Sequence, residues 1–126
     1  MMIRSILCIA AGGALGSVSR WLLPKLLQGT FFSVFPLGTM TVNLLGCLLI
    51  GLFYGIADRG TGIQEGWKLF LTVGFCGGFT TFSTFCNESL TLLRAHQLWQ
   101  ATAYMGGSVF LGIIAVYAGL QIIRLF

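Results

Sequence analysis

The chain reads Gly-Phe-Cys-Gly-Gly-Phe-Thr-Thr-Phe-Ser-Thr-Phe from Gly74 to Phe85, within a sequence that is otherwise suited to lipid. The pair Gly77 and Gly78 loosens the backbone, and four hydroxyl side chains are interleaved with phenylalanines after it. In hydrocarbon an unpaired backbone group is costly, so an interrupted helix persists only inside protein or beside a polar cavity. The stretch therefore predicts a break in a membrane helix at Gly77–Thr80, and this break is the expected functional site.

The composition is that of an integral membrane protein. Of the 126 residues, 56% are hydrophobic and 8% are charged, whereas a soluble domain has about 25% charged residues. We expect a single all-α transmembrane domain over residues 1–126 and, despite the net charge of +4, no nucleic-acid partner, because so few charges form no basic patch. Each of four apolar stretches has the roughly 20 residues that cross a bilayer core: Ile3–Leu27, Pro36–Ala57, Trp67–Leu93 and Leu98–Phe126.

The charges of the loops leave the orientation of these spans open. Lys and Arg in short loops favour the cytoplasmic side, but here the two sides are nearly balanced. Either one residue sets a single orientation, or copies insert both ways and pair antiparallel. An antiparallel homodimer would supply the inverted copy that many transporters contain as an internal repeat. The cations are Arg4, Arg59, Lys68 and Arg124 on one side, and Arg20, Lys25 and Arg94 on the other.

Polar side chains recur at helical spacing on several spans. Residues three or four apart share a helix face, and an interhelical hydrogen bond would explain any one of these residues alone. Together they favour a shared polar track. Its members are Thr39 and Asn43 on the second span, Ser83 and Thr84 beside Phe82 and Phe85 on the third, and Tyr104 and Ser108 on the fourth.

The chemistry of this track is typical of a path for a small anion. Hydroxyl and amide groups donate hydrogen bonds, phenylalanine ring edges are positive, and the track lacks the acidic ring expected of a cation channel. The carbonyls of the predicted break have two alternative uses. They bind a cation, as in the discontinuous helices of transporters, or they bond to neighbouring helices around a simple glycine kink.

Three blocks of sequence resemble the Fluc (CrcB) fluoride channel family over nearly the whole chain. The block from Gly74 to Phe85, with Glu88, is the most specific. The others are Gly12–Gly16 with Arg20, and Pro36–Thr39 with Val42–Leu44.

The resemblance implies a fluoride-selective passive channel, not an enzyme, in a bacterial inner membrane. It also implies an antiparallel, dual-topology homodimer of four-helix subunits, with a broken third helix and a structural sodium ion (Na⁺) at the dimer interface. Gly77 and Thr80 would hold that ion through backbone carbonyls. Asn43, Phe82 and Phe85 would line the fluoride pore, with Ser83 and Thr84 in its polar track, Tyr104 and Ser108 in its wall, and Arg20 in a vestibule.

Two other functions remain open from the sequence. A proton-coupled exporter of the small multidrug type also has four short spans, but it needs a deep acid. The first span has no Asp or Glu, so Glu88 would have to serve. The third alternative is a helper subunit that transports nothing by itself.

Overall fold

The computed structural model describes residues 2–26, 36–59 and 64–125, and all regular structure within them is helical. Four helical spans are long and apolar enough to cross a membrane, which confirms the predicted number. The predicted span ends at Leu27 and Phe126 lie outside the described residues.

Helix α1 covers Met2–Leu26, and α2 covers Leu37–Asp58. The third span, Glu65–Arg94, extends slightly beyond its predicted bounds and is composite. It consists of α3 (Glu65–Leu69), a π-helical segment π1 (Phe70–Cys76), α4 (Gly77–Phe79) and α5 (Phe82–Arg94). Helix α6, Leu98–Leu125, is the fourth span.

Two residues between α4 and α5 have extended backbone. Thr80 has φ −87° and ψ 160°, and Thr81 has φ −149° and ψ 122°; we call these two residues the extended pair. The predicted break is Gly77–Thr80, but Gly77 is helical, with φ −62° and ψ −39°. The glycines instead allow close approach, because a Cβ on Gly78 would lie 2.7 Å from the carbonyl oxygen of Gly13 on α1.

Small residues bring α1 against the first half of the third span. A Cβ on Gly16 would meet the carbonyl oxygen of Phe75 and would lie 2.9 Å from the nitrogen of Phe79. A Cβ on Gly74 would lie 2.8 Å from the carbonyl oxygen of Ile9. Gly12 and Gly16, which lie four residues apart on α1, therefore let the backbone of α1 contact the backbone of the third span.

Helices α2 and α6 pack in the same way and make the most extensive helix contact of the described residues. A Cβ on Gly119 would lie 2.8 Å from the nitrogen of Leu52, and one on Gly51 would meet the backbone of Val116. The described chain thus contains two close pairs, α1 with the third span and α2 with α6.

A tight turn returns the chain from α5 to α6. His96 has a left-handed φ of 60°, and the N–H of Gln97 donates to the carbonyl of Leu92 over 3.0 Å. The turn places Leu92 against Ala101 and Tyr104 in a small buried cluster. This cluster fixes α5 beside α6, and so positions the phenylalanines of α5.

Candidate functional site

A cavity of about 580 Å³ lies beside the extended pair, with walls from α2, π1, α5 and α6. Its surface is mostly apolar, and no acidic residue is among its described lining residues. It brings together residues that are far apart in sequence. Of the predicted site residues it collects Asn43, Gly77, Thr80, Phe82, Phe85 and Ser108.

Asn43 holds the extended pair from α2 through both ends of its amide. Its Nδ2 donates to the carbonyl oxygen of Thr81 over 3.0 Å, and its Oδ1 accepts from the N–H of Thr81 over 2.7 Å. The N–H and the carbonyl of Thr81 are not paired within a helix, and Asn43 satisfies both of them. A lipid environment requires such pairing of backbone groups. The second hydrogen of Nδ2 is the one left to meet a ligand in the cavity.

Thr81 is a site residue that the sequence analysis did not single out. Besides its two bonds to Asn43, its Oγ1 accepts from the N–H of Thr84 over 3.3 Å, at the N-cap of α5. Threonine before an apolar run is a common N-cap. That signal identifies Thr81 as the start of a new helix, one residue beyond the predicted break.

The carbonyls around the extended pair fall into two groups. The carbonyl of Cys76 accepts from both the N–H and the Oγ1 of Thr80, over 3.0 and 2.9 Å, and the carbonyl of Gly78 accepts from Arg20 Nε over 3.0 Å. Within residues 2–26, 36–59 and 64–125, no hydrogen bond reaches the carbonyl oxygens of Gly77 or Thr80. Such free carbonyls are hard-cation ligands.

Arg20, on α1, donates a hydrogen bond to the carbonyl of Gly78, two residues before the extended pair. It is half-buried on α1 and does not line the cavity. Arg20 bonds to Gly78 through Nε. This bond is compatible with the predicted place of Arg20 in a vestibule, because it does not use the other two guanidinium nitrogens. The guanidinium therefore puts a positive charge next to the carbonyl of Gly78, close to the extended pair.

Aromatic rings form one side of the cavity. Phe82 is 76% exposed in the single subunit, and its ring centroid lies 5.9 Å from that of Phe85 at an interplanar angle of 39°. Phe85 in turn lies 5.0 Å from Tyr104 at 53°. The rings are tilted rather than stacked, which leaves ring edges available to the cavity.

Tyr104 and Thr39 lie behind Phe85 and do not line the cavity. Tyr104 is completely buried, and its hydroxyl donates to Glu88 Oε1 over 2.9 Å. Thr39 makes a further side-chain hydrogen bond to Tyr104. The three residues form a polar contact between α2, α5 and α6.

The remaining predicted hydroxyls occupy different environments. Ser108 lines the cavity, and its Oγ is buried without a hydrogen-bond partner among the described residues. Ser83 is exposed and Thr84 is half-buried on α5, and neither lines the cavity. A buried hydroxyl without a partner is unusual in a folded protein, and here it faces a space that a ligand can enter.

The part of the chain that the structure describes contains no group of three or more His, Cys, Asp or Glu side chains able to hold a metal ion. A cation beside the extended pair would therefore be held by backbone oxygens. One cavity is thus lined by residues with hydrogen-bond donors, by aromatic rings, and by two residues whose carbonyl oxygens have no partner among the described residues.

Comparison with known proteins gives a consistent result. The family model described as CrcB-like protein, Camphor Resistance (CrcB), matches residues 7–120. The chain is 43% identical over 121 residues to a protein of Flavobacterium psychrophilum, covering 96% of this chain and 98% of that protein. It is 48% identical to one of Phocaeicola vulgatus, covering 93% and 96%, and 44% identical to one of Nitrobacter winogradskyi, covering 94% of each. All three relatives are named fluoride-specific ion channel FluC.

Proposed function

The chain belongs to the CrcB-like protein family, and from this premise we propose that it is a fluoride-selective passive channel. It is a multi-pass membrane protein, not an enzyme, and it carries fluoride out of the cytoplasm of a bacterial cell across the inner membrane. The observation that carries the proposal is the cavity beside the extended pair. Its polar groups include hydrogen-bond donors, its other walls are apolar and aromatic, and no carboxylate is among its described lining residues.

The physical role of a passive pathway follows from the acidity of hydrogen fluoride. The neutral acid crosses membranes from acidic surroundings and ionises in the cytoplasm, where the anion is trapped. An inside-negative potential then drives fluoride out through a selective path, without a nucleophile or a fuel. This export gives the cell fluoride resistance.

The donors of the cavity suit a small, strongly hydrated anion. Ser108 Oγ has no partner within the described residues, and Asn43 keeps one amide hydrogen beyond its bond to Thr81. The positive ring edges of Phe82 and Phe85 add weak attraction without a fixed charge. Many weak donors replace a hydration shell while still allowing the ion to leave, as conduction requires.

The working unit in this proposal is an antiparallel, dual-topology homodimer with an interrupted third helix in each subunit. Two observations support it. The near-balance of the loop charges gives no strong orientation, and the cavity face is open, with Phe82 76% and Val109 57% exposed in one subunit. Gly16 and Gly119 already make contacts inside the chain, and in this proposal the second copy covers the open cavity face.

A structural sodium ion fits the same interface. The carbonyl oxygens of Gly77 and Thr80 have no hydrogen-bond partner among the described residues, and both residues line the cavity. Two copies would bring four such oxygens together, a ligand type that alkali cations accept in discontinuous helices. When bound, the ion would supply positive potential close to the anion path.

Reconstitution in liposomes tests the function directly. Purified protein should release trapped fluoride, but not chloride, when valinomycin dissipates the potential, and a proton gradient should not be needed. A fluoride electrode records the efflux. Silence from dimeric, correctly folded protein would contradict the proposal and would favour the helper-subunit alternative.

Topology is tested separately, in intact cells for the outer face and in inverted membrane vesicles for the cytoplasmic face. A variant without the four native cysteines and with His96→Cys, in the exposed turn before α6, should react with a membrane-impermeant maleimide from both sides. Labelling that occurs from one side alone would contradict dual topology.

The proton-coupled exporter alternative is not supported. The relatives reported above are named as channels. In the structure Glu88 accepts a hydrogen bond from the buried hydroxyl of Tyr104, and it does not line the cavity. An exporter would need this carboxylate to meet a cationic substrate.

A further inference from the structure

A second, smaller cavity lies where α1 and the third span begin. Its volume is about 160 Å³, and it shares no lining residue with the larger cavity. Helix α1 and α3 are close here, because a Cβ on Gly66 would lie 3.3 Å from Cys8 Sγ. The lining residues, which together we call the Arg4 pocket, are Arg4, Cys8, Gln64, Gly66, Trp67 and Phe70.

The position of the Arg4 pocket along the spans puts it at the membrane–water interface. Arg4 and Trp67 lie near the first residues of the spans Met2–Leu26 and Glu65–Arg94. Tryptophan concentrates at the level of the lipid headgroups. Trp67 is 59% exposed, and its ring is held edge-on to Phe70 with 5.6 Å between centroids.

Arg4 differs from Arg59 and Lys68, two other cations at this end of the bundle. Arg59 donates to the carbonyl oxygen of Ile123 over 2.9 Å, and the Lys68 ammonium lies 5.9 Å from the centre of the Tyr54 ring. Within the part of the chain that the structure describes, no hydrogen bond or ion pair reaches Arg4. Its guanidinium is therefore available to a ligand.

We propose that the Arg4 pocket binds the phosphate of one anionic phospholipid, of the phosphatidylglycerol type, per chain. Guanidinium matches phosphate with paired N–H donors, and basic pockets between membrane helices bind anionic lipid headgroups. Gln64 offers amide groups to the same headgroup. Trp67 and Phe70 give the pocket an apolar wall that suits a lipid and would be unused by inorganic phosphate.

Quenching of a single tryptophan by brominated lipids tests this site. The Trp21→Phe, Trp99→Phe variant of the full chain retains Trp67 alone. In phosphatidylcholine vesicles, a minor fraction of brominated phosphatidylglycerol should quench Trp67 with an apparent affinity about fivefold above that of brominated phosphatidylcholine, the effect of one cation near anionic lipid. The Trp21→Phe, Trp67→Phe variant reports on the bulk bilayer, because Trp99 is 86% exposed at the start of α6.

Matched charge variants then assign the preference to the pocket. Arg4→Gln should remove it, whereas Arg124→Gln should leave it, because Arg124 is an exposed cation at the same end and lies outside the pocket. Both variants should retain fluoride efflux, which shows that they fold. Arg4→Lys keeps the charge without the paired donors and should retain part of the preference.

Three results would overturn the proposal. Trp67 would show no preference between the two lipids, or the preference would survive Arg4→Gln, or Trp99 would show a preference of the same size. Excess inorganic phosphate should not displace the brominated lipid; displacement would reassign the pocket to soluble phosphate and reject the lipid.

Discussion

The two faces of the third span differ in how their backbone is covered. Towards α1 the span is closed, since Gly74 and Gly78 approach the α1 backbone and Arg20 bonds to the carbonyl of Gly78. Towards α2 and α6 the same span borders a cavity, where Gly77 and Thr80 carry carbonyls without partners among the described residues. A rigid contact on one face allows polar groups to remain unpaired on the other, because the backbone cannot rearrange to pair them.

The largest expected effect comes from removing the support of the cavity face at Asn43. Asn43→Asp replaces the donor to the Thr81 carbonyl with an oxygen and adds negative charge beside the anion path. A lost hydrogen bond and an unpaired buried group together cost about 1–3 kcal/mol, and the new negative charge also repels the anion. We therefore expect fluoride efflux from liposomes to fall about 100-fold, which is near the upper end of that range. Asn87→Asp, the same change on the exposed surface of α5, is the control and should conduct normally. Full activity of Asn43→Asp would place Asn43 outside the path.

The closed face is tested by adding a methyl group to it. Gly16→Ala puts a Cβ against the backbone at Phe75 and Phe79, where no flexible side chain can yield. Overpacking of this kind costs about 1–3 kcal/mol, so the midpoint of thermal unfolding in detergent should fall clearly. In Gly106→Ala the new methyl meets nothing within 4 Å, and stability should be unchanged. Equal stability of the two variants would show that the α1 contact is not tight.

Replacing the phenylalanines that line the cavity should reduce fluoride efflux less than Asn43→Asp does. Phe85→Ile removes ring contacts with both Phe82 and Tyr104, and such pairs contribute about 0.5–1.5 kcal/mol each. We expect fluoride efflux to fall about tenfold, and less in Phe82→Ile. Phe110→Ile, at an exposed position on α6, should have normal efflux. Unchanged efflux in both wall variants would remove the ring edges from the proposed path.

The smallest effect on fluoride efflux is expected from replacing Glu88, which does not line the cavity. In Glu88→Gln the amide oxygen still accepts from the hydroxyl of Tyr104, so this contact persists in weaker form. Efflux should change by no more than about fivefold, the difference between a charged and a neutral hydrogen bond. It should also stay independent of an imposed proton gradient. Complete loss in Glu88→Gln, with both phenylalanine variants active, would revive the exporter alternative.

The sequence predicts the face of the third span that packs on α1 better than the face that borders the cavity. Apolar stretches identify four spans by composition alone, and glycines spaced by four predict close helix contacts. Both signals are local in the chain. They do not say which helices meet, and it is the structure that pairs Gly16 with π1 and α4, and Gly119 with α2.

The open face depends on tertiary contacts that no local pattern encodes. The glycine pair suggested where the backbone leaves the helix, yet Gly77 is helical and Thr80 and Thr81 are extended, because Asn43 pairs with Thr81 from another span. Tyr104 is predicted in the wall of the path, and its buried hydroxyl donates to Glu88 on another helix, a contact that spacing does not indicate. Asn43, Phe85 and Ser108, which spacing assigned to a shared polar track, line one cavity. The dimer, the sodium ion and the individual pore roles remain predictions.

The amide of Asn43 does for Thr81 what the edge of a neighbouring β-strand would do. It offers one N–H and one C=O to a single residue in extended conformation, which is the exchange that pairs residues across an antiparallel sheet. An otherwise helical membrane protein thus contains one rung of a β-ladder, with a side chain in place of the second strand. The chain can therefore leave and re-enter helical geometry within two residues, without a hairpin, at a depth where a free strand edge would not survive.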